Sequence, residues 1–398
     1  MMTLFLIVLV DLIGFGLYIP LLPFYAEHFG ASPFIVGLTM ATFSFAQFIS
    51  APLWGHLSDR KGRRPILMIG MAGSVMSYLW LGFADSLWMI FAARALNGLM
   101  AGNISAAFAY MADVTTRENR AKGMGLIGAA FGLGFIVGPA IGGILAGSDP
   151  ANADFQAPAF AAAGLSAVAF IMTIGVLKES LSAESRERLS ALPRTKRITQ
   201  LRESLTHPTM GRLLMLIFLS TFVFAGLEST FAMWSRRSFG WGPEQNGYLF
   251  ALVGITSAVI QGGLVGRLAK KFGEKALVLQ GAIALAIGVF LIPFADNLPI
   301  LLIAMMIAGY GFSIITPSLN SLVSLQASEN EQGSVLGVTR SASTLARVAG
   351  PAWAGMLFSV LGRDWPYFGG AMVMVIVIVL AWRVRSHVRD SKAEAENP

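Results

Sequence analysis

The stretch Leu53-Trp-Gly-His-Leu-Ser-Asp-Arg-Lys-Gly-Arg-Arg-Pro-Ile-Leu67 returns 211 residues later as Leu264-Val-Gly-Arg-Leu-Ala-Lys-Lys-Phe-Gly-Glu-Lys-Ala-Leu-Val278, with Gly55 over Gly266 and Gly62 over Gly273. A second match follows at an offset of 212: the run from Gly125 to Leu145 falls on the run from Gly337 to Leu357, and Gly138-Pro139 falls on Gly350-Pro351. Two matches in the same order mark an internal duplication, the pattern of membrane chains built from two copies of one bundle. Around each basic stretch the apolar residues come in runs of about twenty, the helix length that crosses a ~30 Å hydrocarbon core at about 1.5 Å per residue.

The whole composition agrees. Of 398 residues, 55% are hydrophobic and 13% charged, about half the charged share of a soluble domain, and the mean hydropathy is +0.66. Zero cysteines exclude disulfides, thiolate catalysis and cysteine-based metal centres, and His28, His56, His207 and His387 are too scattered in the sequence for a metal cluster. We expect no cofactor and no metal. The net charge of +7 has no folded soluble module to sit on, which argues against a nucleic-acid partner.

Spans are expected at about 3–24, 33–54, 66–84, 87–112, 122–147, 157–177, 210–233, 245–265, 276–294, 298–322, 335–359 and 367–383. The expected fold is thus an all-α membrane protein with twelve transmembrane helices in two pseudo-symmetric six-helix bundles, 1–177 and 209–398, joined by a cytoplasmic linker at 178–208. The linker interleaves Arg186, Arg188, Arg194, Lys196, Arg197 and Arg202 with Glu179, Glu184, Glu187 and Glu203, and reads as a solvated tether or a helix lying on the anionic leaflet. Only Arg236, Arg237 and Arg363 fall in outside loops, and Arg94, Arg340 and Arg347 fall within spans. The remaining basic residues mark the inside, so both termini are expected in the cytoplasm of a multi-pass inner-membrane protein. The first run, with no basic leader, is expected to stay as a helix.

Three motifs and one spacing carry a resemblance. The stretch from Gly55 to Pro65 joins spans two and three; span four holds Arg94-Ala-Leu-Asn97-Gly98; span five runs from Gly128 to Gly143 through Gly138-Pro139; the first span carries Asp11-x-x-Gly14-x-Gly16-x-x-x-Pro20-x-x-Pro23. Together they resemble the major facilitator superfamily over essentially the whole chain, and within it the twelve-span drug:proton antiporters that include the tetracycline exporters. Asn97 stands where that family usually has Gln. The His and acidic residue that some tetracycline exporters carry in spans eight and nine are missing, which argues against tetracycline itself as substrate. The resemblance implies alternating access by rocking of two bundles, a small-molecule substrate, protons and surrounding lipid as partners, and a monomer as the working unit. The span-five motif implies export.

An ionisable group at the bilayer centre costs ~2.5–3.5 kcal/mol on insertion scales, so each one needs a reason. Asp11 lies eight residues into its helix, roughly 12 Å deep, with Phe15 and Tyr18 on the same face. A carboxyl there that alternates between protonated and charged forms can exchange a proton for a cationic ligand; the alternative is a carboxyl permanently bonded to a neighbouring helix. Glu228 is nearer the outside and has no twin, since Asp11 falls on Phe222 in the repeat; it is a second candidate carboxylate or an interfacial acid. Arg94 resembles the family arginine linked to proton movement, or fixes helix packing through backbone carbonyls. Arg347 has no partner that the sequence names. Asp59, Arg63 and Asp113 form the charge relay that the resemblance implies, with Asp59 capping span three and meeting Arg340 of span eleven when the inside gate closes. Phe15, Tyr18, Phe43, Phe222, Phe231, Trp234 and Tyr310 are candidates for the substrate cavity.

Gly123-x-Gly125-x-x-Gly128 fits a dinucleotide fingerprint letter for letter but follows no strand. Gly128, Gly132, Gly134, Gly138 and Gly142 are instead expected to let two helix backbones approach, with Pro139 bending the span. No nucleophile elbow, zinc-protease motif or phosphate loop is present, so the chain reads as a transporter and not an enzyme. The expected function is proton-coupled efflux of amphiphilic, cationic or zwitterionic drug-like compounds; the alternative is a proton-coupled importer or facilitator of a small metabolite.

Overall fold

The computed structural model describes residues 1–116, 119–182, 184, 186, 208–326 and 332–395, which form helices and turns with no strand among them. Most of the linker, residues 187–207, lies outside the described residues. Helix occupies every expected span. Among the described residues nine helices are long and apolar enough to cross a membrane, ten with one bent pair counted as a span.

That bent pair corrects the first expected span. α1 (Met2–Tyr18) and α2 (Leu22–His28) meet at 42°, because Pro20 and Pro23 have no N–H to return to the carbonyls of Gly16 and Ile19. α3 (Pro33–Lys61) starts on Ser32, whose Oγ accepts from the Ile35 N–H at 3.4 Å, with Pro33 in the first turn. It then runs through most of the stretch expected to be a loop. The reversal into α4 (Arg63–Gly82) is made at Gly62 alone, at φ 101°, a left-handed value that a β-carbon would oppose. The fourth expected span is broken at Gly102 and Asn103 into α5 (Leu87–Ala101) and α6 (Ile104–Asp113). α7 (Arg120–Ala146) runs on through Pro139, and α8 (Gln156–Gly175) follows.

In the second copy, α9 (Pro208–Phe239) and α10 (Pro243–Val259) precede a π turn at Ile260–Leu264 that leads into α11 (Val265–Phe272). α12 (Glu274–Leu291), α13 (Leu298–Gln326), α14 (Gln332–Val360) and α15 (Trp365–Ala395) complete the chain.

The chain forms two compact units, Met1–Arg194 with Ser229–Gly254, and Thr195–Glu228 with Ile255–Pro398. The boundaries cut α9 after Glu228 and α10 after Gly254. The first unit has one apolar cluster around Leu17, Tyr25, Leu81, Ile90 and Phe155, and another around Leu4, Ile7, Leu67, Met71 and Met111. The second has a smaller one at Ile260, Leu277 and Ile314. Leu53, Phe83, Trp88, Ile171, Val360 and Met372 are largely exposed, as residues facing lipid should be.

Inside the first unit α7 packs on α1 along one row. A β-carbon on Gly134 would meet Leu12, one on Gly138 would meet the backbone of Gly16 at 2.6 Å, and one on Gly142 would meet Leu17. Gly128 and Gly132 do not belong to that contact, for a β-carbon on either meets nothing within 4 Å. At about 100° per residue, both fall on a different face of α7 from Gly134, Gly138 and Gly142.

Candidate functional site

α1 and α8 place the first acid. Gly14 lets the helices close, its position 3.3 Å from the Ala162 carbonyl for an added β-carbon, and this brings Ser166 of α8 to Asp11. The Ser166 hydroxyl donates to Asp11 Oδ1 at 2.9 Å. Among the described residues Asp11 forms no ion pair. A carboxyl with a single neutral donor loses little when it takes up a proton, unlike one clamped to a cation.

One turn along α1, the Phe15 ring lies 5.0 Å from Phe43 and 6.0 Å, edge-on, from Phe135. The Arg94 guanidinium centre sits 4.6 Å from the centroid of Phe43. Arg94 is buried, and its Nε has no hydrogen-bond partner. Its charge therefore rests on the face of a ring, an interaction of about 0.5–2 kcal/mol, instead of facing a carboxylate. Asn97, one turn on, donates to the Ser77 hydroxyl at 2.7 Å. The structure thus packs Phe15 and Arg94 on the Phe43 ring, with Asp11 one turn before Phe15 on α1.

Tyr18 ends α1, is 1% exposed, and gives its hydroxyl to the Phe155 carbonyl at 2.6 Å, within the apolar cluster that holds Tyr25. Phe231 and Trp234 are likewise buried, packed on each other and on Phe250 and Phe239. Helical spacing gives a shared face but not whether that face meets a cavity or a core.

At the other end of the first unit Arg63, 5% exposed along its side chain, is held by Asp59 at 2.5 Å and Asp113 at 3.1 Å, with Ser58 at 2.7 Å. Asp59 lies in the last turn of α3 and does not cap α4. Glu179 does: its carboxylate accepts from the N–H groups of Arg63 at 2.9 Å and Arg64 at 3.1 Å. Tyr110 donates to the Lys178 carbonyl and Ser180 to Asp113, so the segment after α8 is fastened onto the signature stretch. Arg340, expected to meet Asp59, belongs to the second unit, where it lines a cavity with residues of α9 and α13.

The arginines expected outside have partners. Arg236 and Arg237 reach Glu27 at 3.1 and 2.9 Å, and the Glu27 side chain is 9% exposed; Arg363 pairs with Asp364 at 3.7 Å. In the second unit Arg347 acquires the partner that the sequence left unnamed, Glu228, at 3.1 Å. Phe222 packs on Trp353 at 4.9 Å, and Tyr310 accepts from the Gln280 amide at 2.7 Å. Ser166, Glu27 and Glu179 were not foreseen. A lone acid in an outside loop was the available signal for Glu27; nothing local marks the other two.

The family model described as Major Facilitator Superfamily matches residues 4–351 and 239–398. Multidrug resistance protein 2 of Bacillus subtilis (strain 168) is 30% identical over 397 residues, covering 98% of this chain and 97% of that one. The class B tetracycline resistance protein of Escherichia coli is 30% identical over 390 residues, covering 94% and 93%. Among solved structures, the human organic anion transporter MFSD10 (TETRAN) superposes with a TM-score of 0.73 at 28% identity, over 96% of this chain and 98% of that one.

Proposed function

This chain belongs to the major facilitator superfamily, and on that premise we propose that it is a proton-coupled exporter of amphiphilic, cationic or zwitterionic drug-like compounds. It is a multi-pass membrane transporter and not an enzyme. The observation that carries the proton step is Asp11: a carboxyl within the apolar reach of α1, held by one hydroxyl and by no cation. Such a group accepts a proton or a ligand's ammonium on similar terms, so one displaces the other. Phe15, packed on Phe43 at 5.0 Å, supplies apolar surface one turn from it, suited to ligands of varied outline. Arg94 on Phe43 keeps a positive charge near that surface, which disfavours a permanently bound cation and favours release. The Asp59–Arg63–Asp113 cluster acts away from the ligand, as the charge relay of a gate.

The energetics permit export. A proton crossing 100 mV supplies about 2.3 kcal/mol, which supports roughly a 40-fold gradient at about 1.4 kcal/mol per decade. The resistance proteins among the relatives favour outward transport. Everted vesicles test it: a tetraphenylphosphonium or ethidium gradient should build up inside them with respiration, collapse with an uncoupler, and fail with Asp11→Asn. Equal accumulation by Asp11→Asn would remove the proposed coupling residue, and uptake driven into intact cells would turn the direction round.

A further inference from the structure

The short helix α11 has two unlike faces. Val265, Leu268 and Ala269 pack on the cluster of Ile260, Leu277 and Ile314. Arg267, Lys270 and Lys271, at spacings of three and four, share the opposite face, and all three are exposed. Among the described residues none of the three forms an ion pair. Lys271 instead holds its Nζ 5.2 Å from the centre of the Phe272 ring, and Phe272 is 53% exposed. Leu264, at the end of the π turn, adds a second exposed apolar side chain.

The sequence sets the depth of this face. The 22 residues 245–266 carry no charge, and at about 1.5 Å per residue they fill roughly 33 Å, the thickness of the hydrocarbon core. Arg267 is the first charge past that stretch, so Arg267, Lys270 and Lys271 stand in the headgroup layer. The first copy answers its charge with its own carboxylates. At the offset of 211, Lys270 falls on Asp59, Lys271 on Arg60 and Glu274 on Arg63. Asp59 and Asp113 hold Arg63. In the second copy Glu274 accepts from the Ser321 hydroxyl at 3.3 Å and pairs with no cation among the described residues. The basic face of α11 is thus left for an anion from outside the chain.

We propose that this face binds the phosphate headgroup of an anionic membrane lipid, held by Arg267, Lys270 and Lys271, with Phe272 and Leu264 against the upper part of its acyl chains. Guanidinium and ammonium groups are both matched to phosphate oxygens, and basic residues at the end of a span draw anionic lipids to it. A soluble anion would meet the same cations, but only a lipid also brings hydrocarbon to the two exposed apolar side chains. The inference goes beyond the transport reading above and does not rest on it.

Thermal unfolding of the purified full-length protein in dodecyl maltoside tests it, with dioleoylphosphatidylglycerol and dioleoylphosphatidylcholine titrated separately. Phosphatidylglycerol should raise the midpoint at lower concentration than phosphatidylcholine. In the triple variant Arg267→Gln, Lys270→Gln, Lys271→Gln, the phosphatidylglycerol concentration for half-maximal stabilisation should rise about five-fold or more, the effect of even one cation at an anionic surface. Its response to phosphatidylcholine should not change. The double variant Arg60→Gln, Lys61→Gln, in the first copy, should respond as the wild type does. Equal responses of the wild type to the two lipids, an unaltered triple variant, or an equal loss in the first-copy variant would overturn the proposal. So would full stabilisation by water-soluble glycerol 1-phosphate, which would give the face to free phosphates. Should the triple variant fail to fold, native mass spectrometry of Lys271→Gln decides: it should retain fewer phosphatidylglycerol molecules than the wild type, and equal retention would sink the idea.

Discussion

Replacing Arg347 with glutamine takes away the cation that faces Glu228 at 3.1 Å, where the glutamate side chain is 10% exposed and the arginine 38%. At that separation and an effective dielectric of about 20, the attraction is about 5 kcal/mol. Removal of one partner from a fully buried pair costs about 3–5 kcal/mol. Water reaches more than a third of this arginine and screens the pair, so about 2–3 kcal/mol is the expected loss for Arg347→Gln. The two partners should not be equivalent. Arg347→Gln leaves an anion buried, whereas Glu228→Gln leaves a cation that solvent already touches, at a cost of about 1 kcal/mol. The double variant, with two neutral amides that can bond to each other, should be more stable than Arg347→Gln alone, giving a coupling of about 1–2 kcal/mol in the cycle. Thermal unfolding of the four purified proteins in one detergent reads this as an order of midpoints: wild type highest, then Glu228→Gln and the double variant, then Arg347→Gln. Equal shifts for the two single variants, with the double at their sum, would refute the pair as described.

Gly138→Leu should abolish a monodisperse protein in size-exclusion chromatography, because its β-carbon would stand 2.6 Å from Gly16 backbone, whereas Gly132→Ala, with open space around it, should raise the unfolding midpoint through the roughly 1 kcal/mol helix preference of alanine. Glu179→Ala removes the acceptor for two N–H groups at the start of α4, a loss of about 1–2 kcal/mol, and should speed hydrogen exchange at Arg63 and Arg64 while leaving α12 unchanged. Arg236→Gln or Arg237→Gln alone should cost under about 1 kcal/mol, since the other arginine still covers Glu27; the double variant should lower the midpoint by clearly more than the two single effects together.

The helices were legible because their signal is long: twenty apolar residues outweigh any local ambiguity. The charged motif was legible too, and Arg63 lies with Asp59 and Asp113 as the family resemblance implied. Misreadings arose where one residue decides the geometry. The sequence marks Pro20 and Pro23 plainly, yet both also fit an intact exporter motif, and the break between α1 and α2 that they cause was read as one continuous span. Asp59 looked like a cap because the stretch after Gly55 looked like a loop; in the fold, helix persists to Lys61 and only Gly62 turns. Contacts such as Asp11 with Ser166, 155 residues apart, have no local trace, for they depend on which helices pack together, and small residues such as Gly14 set that packing without announcing a partner.

The π turn at Ile260–Leu264 bears on how this chain tolerates changes in length. A residue dropped from α12 or α13 would swing everything beyond it by about 100° around the helix axis and turn lipid-facing side chains inward. A wide turn already holds one residue more than the regular spiral needs, and Gly262 and Gly263 within it have nothing within 4 Å of where a β-carbon would sit. A single-codon deletion at either glycine can thus be absorbed on the spot, with α10 and α11 keeping their faces, which makes this the natural seam for length variation inside a span.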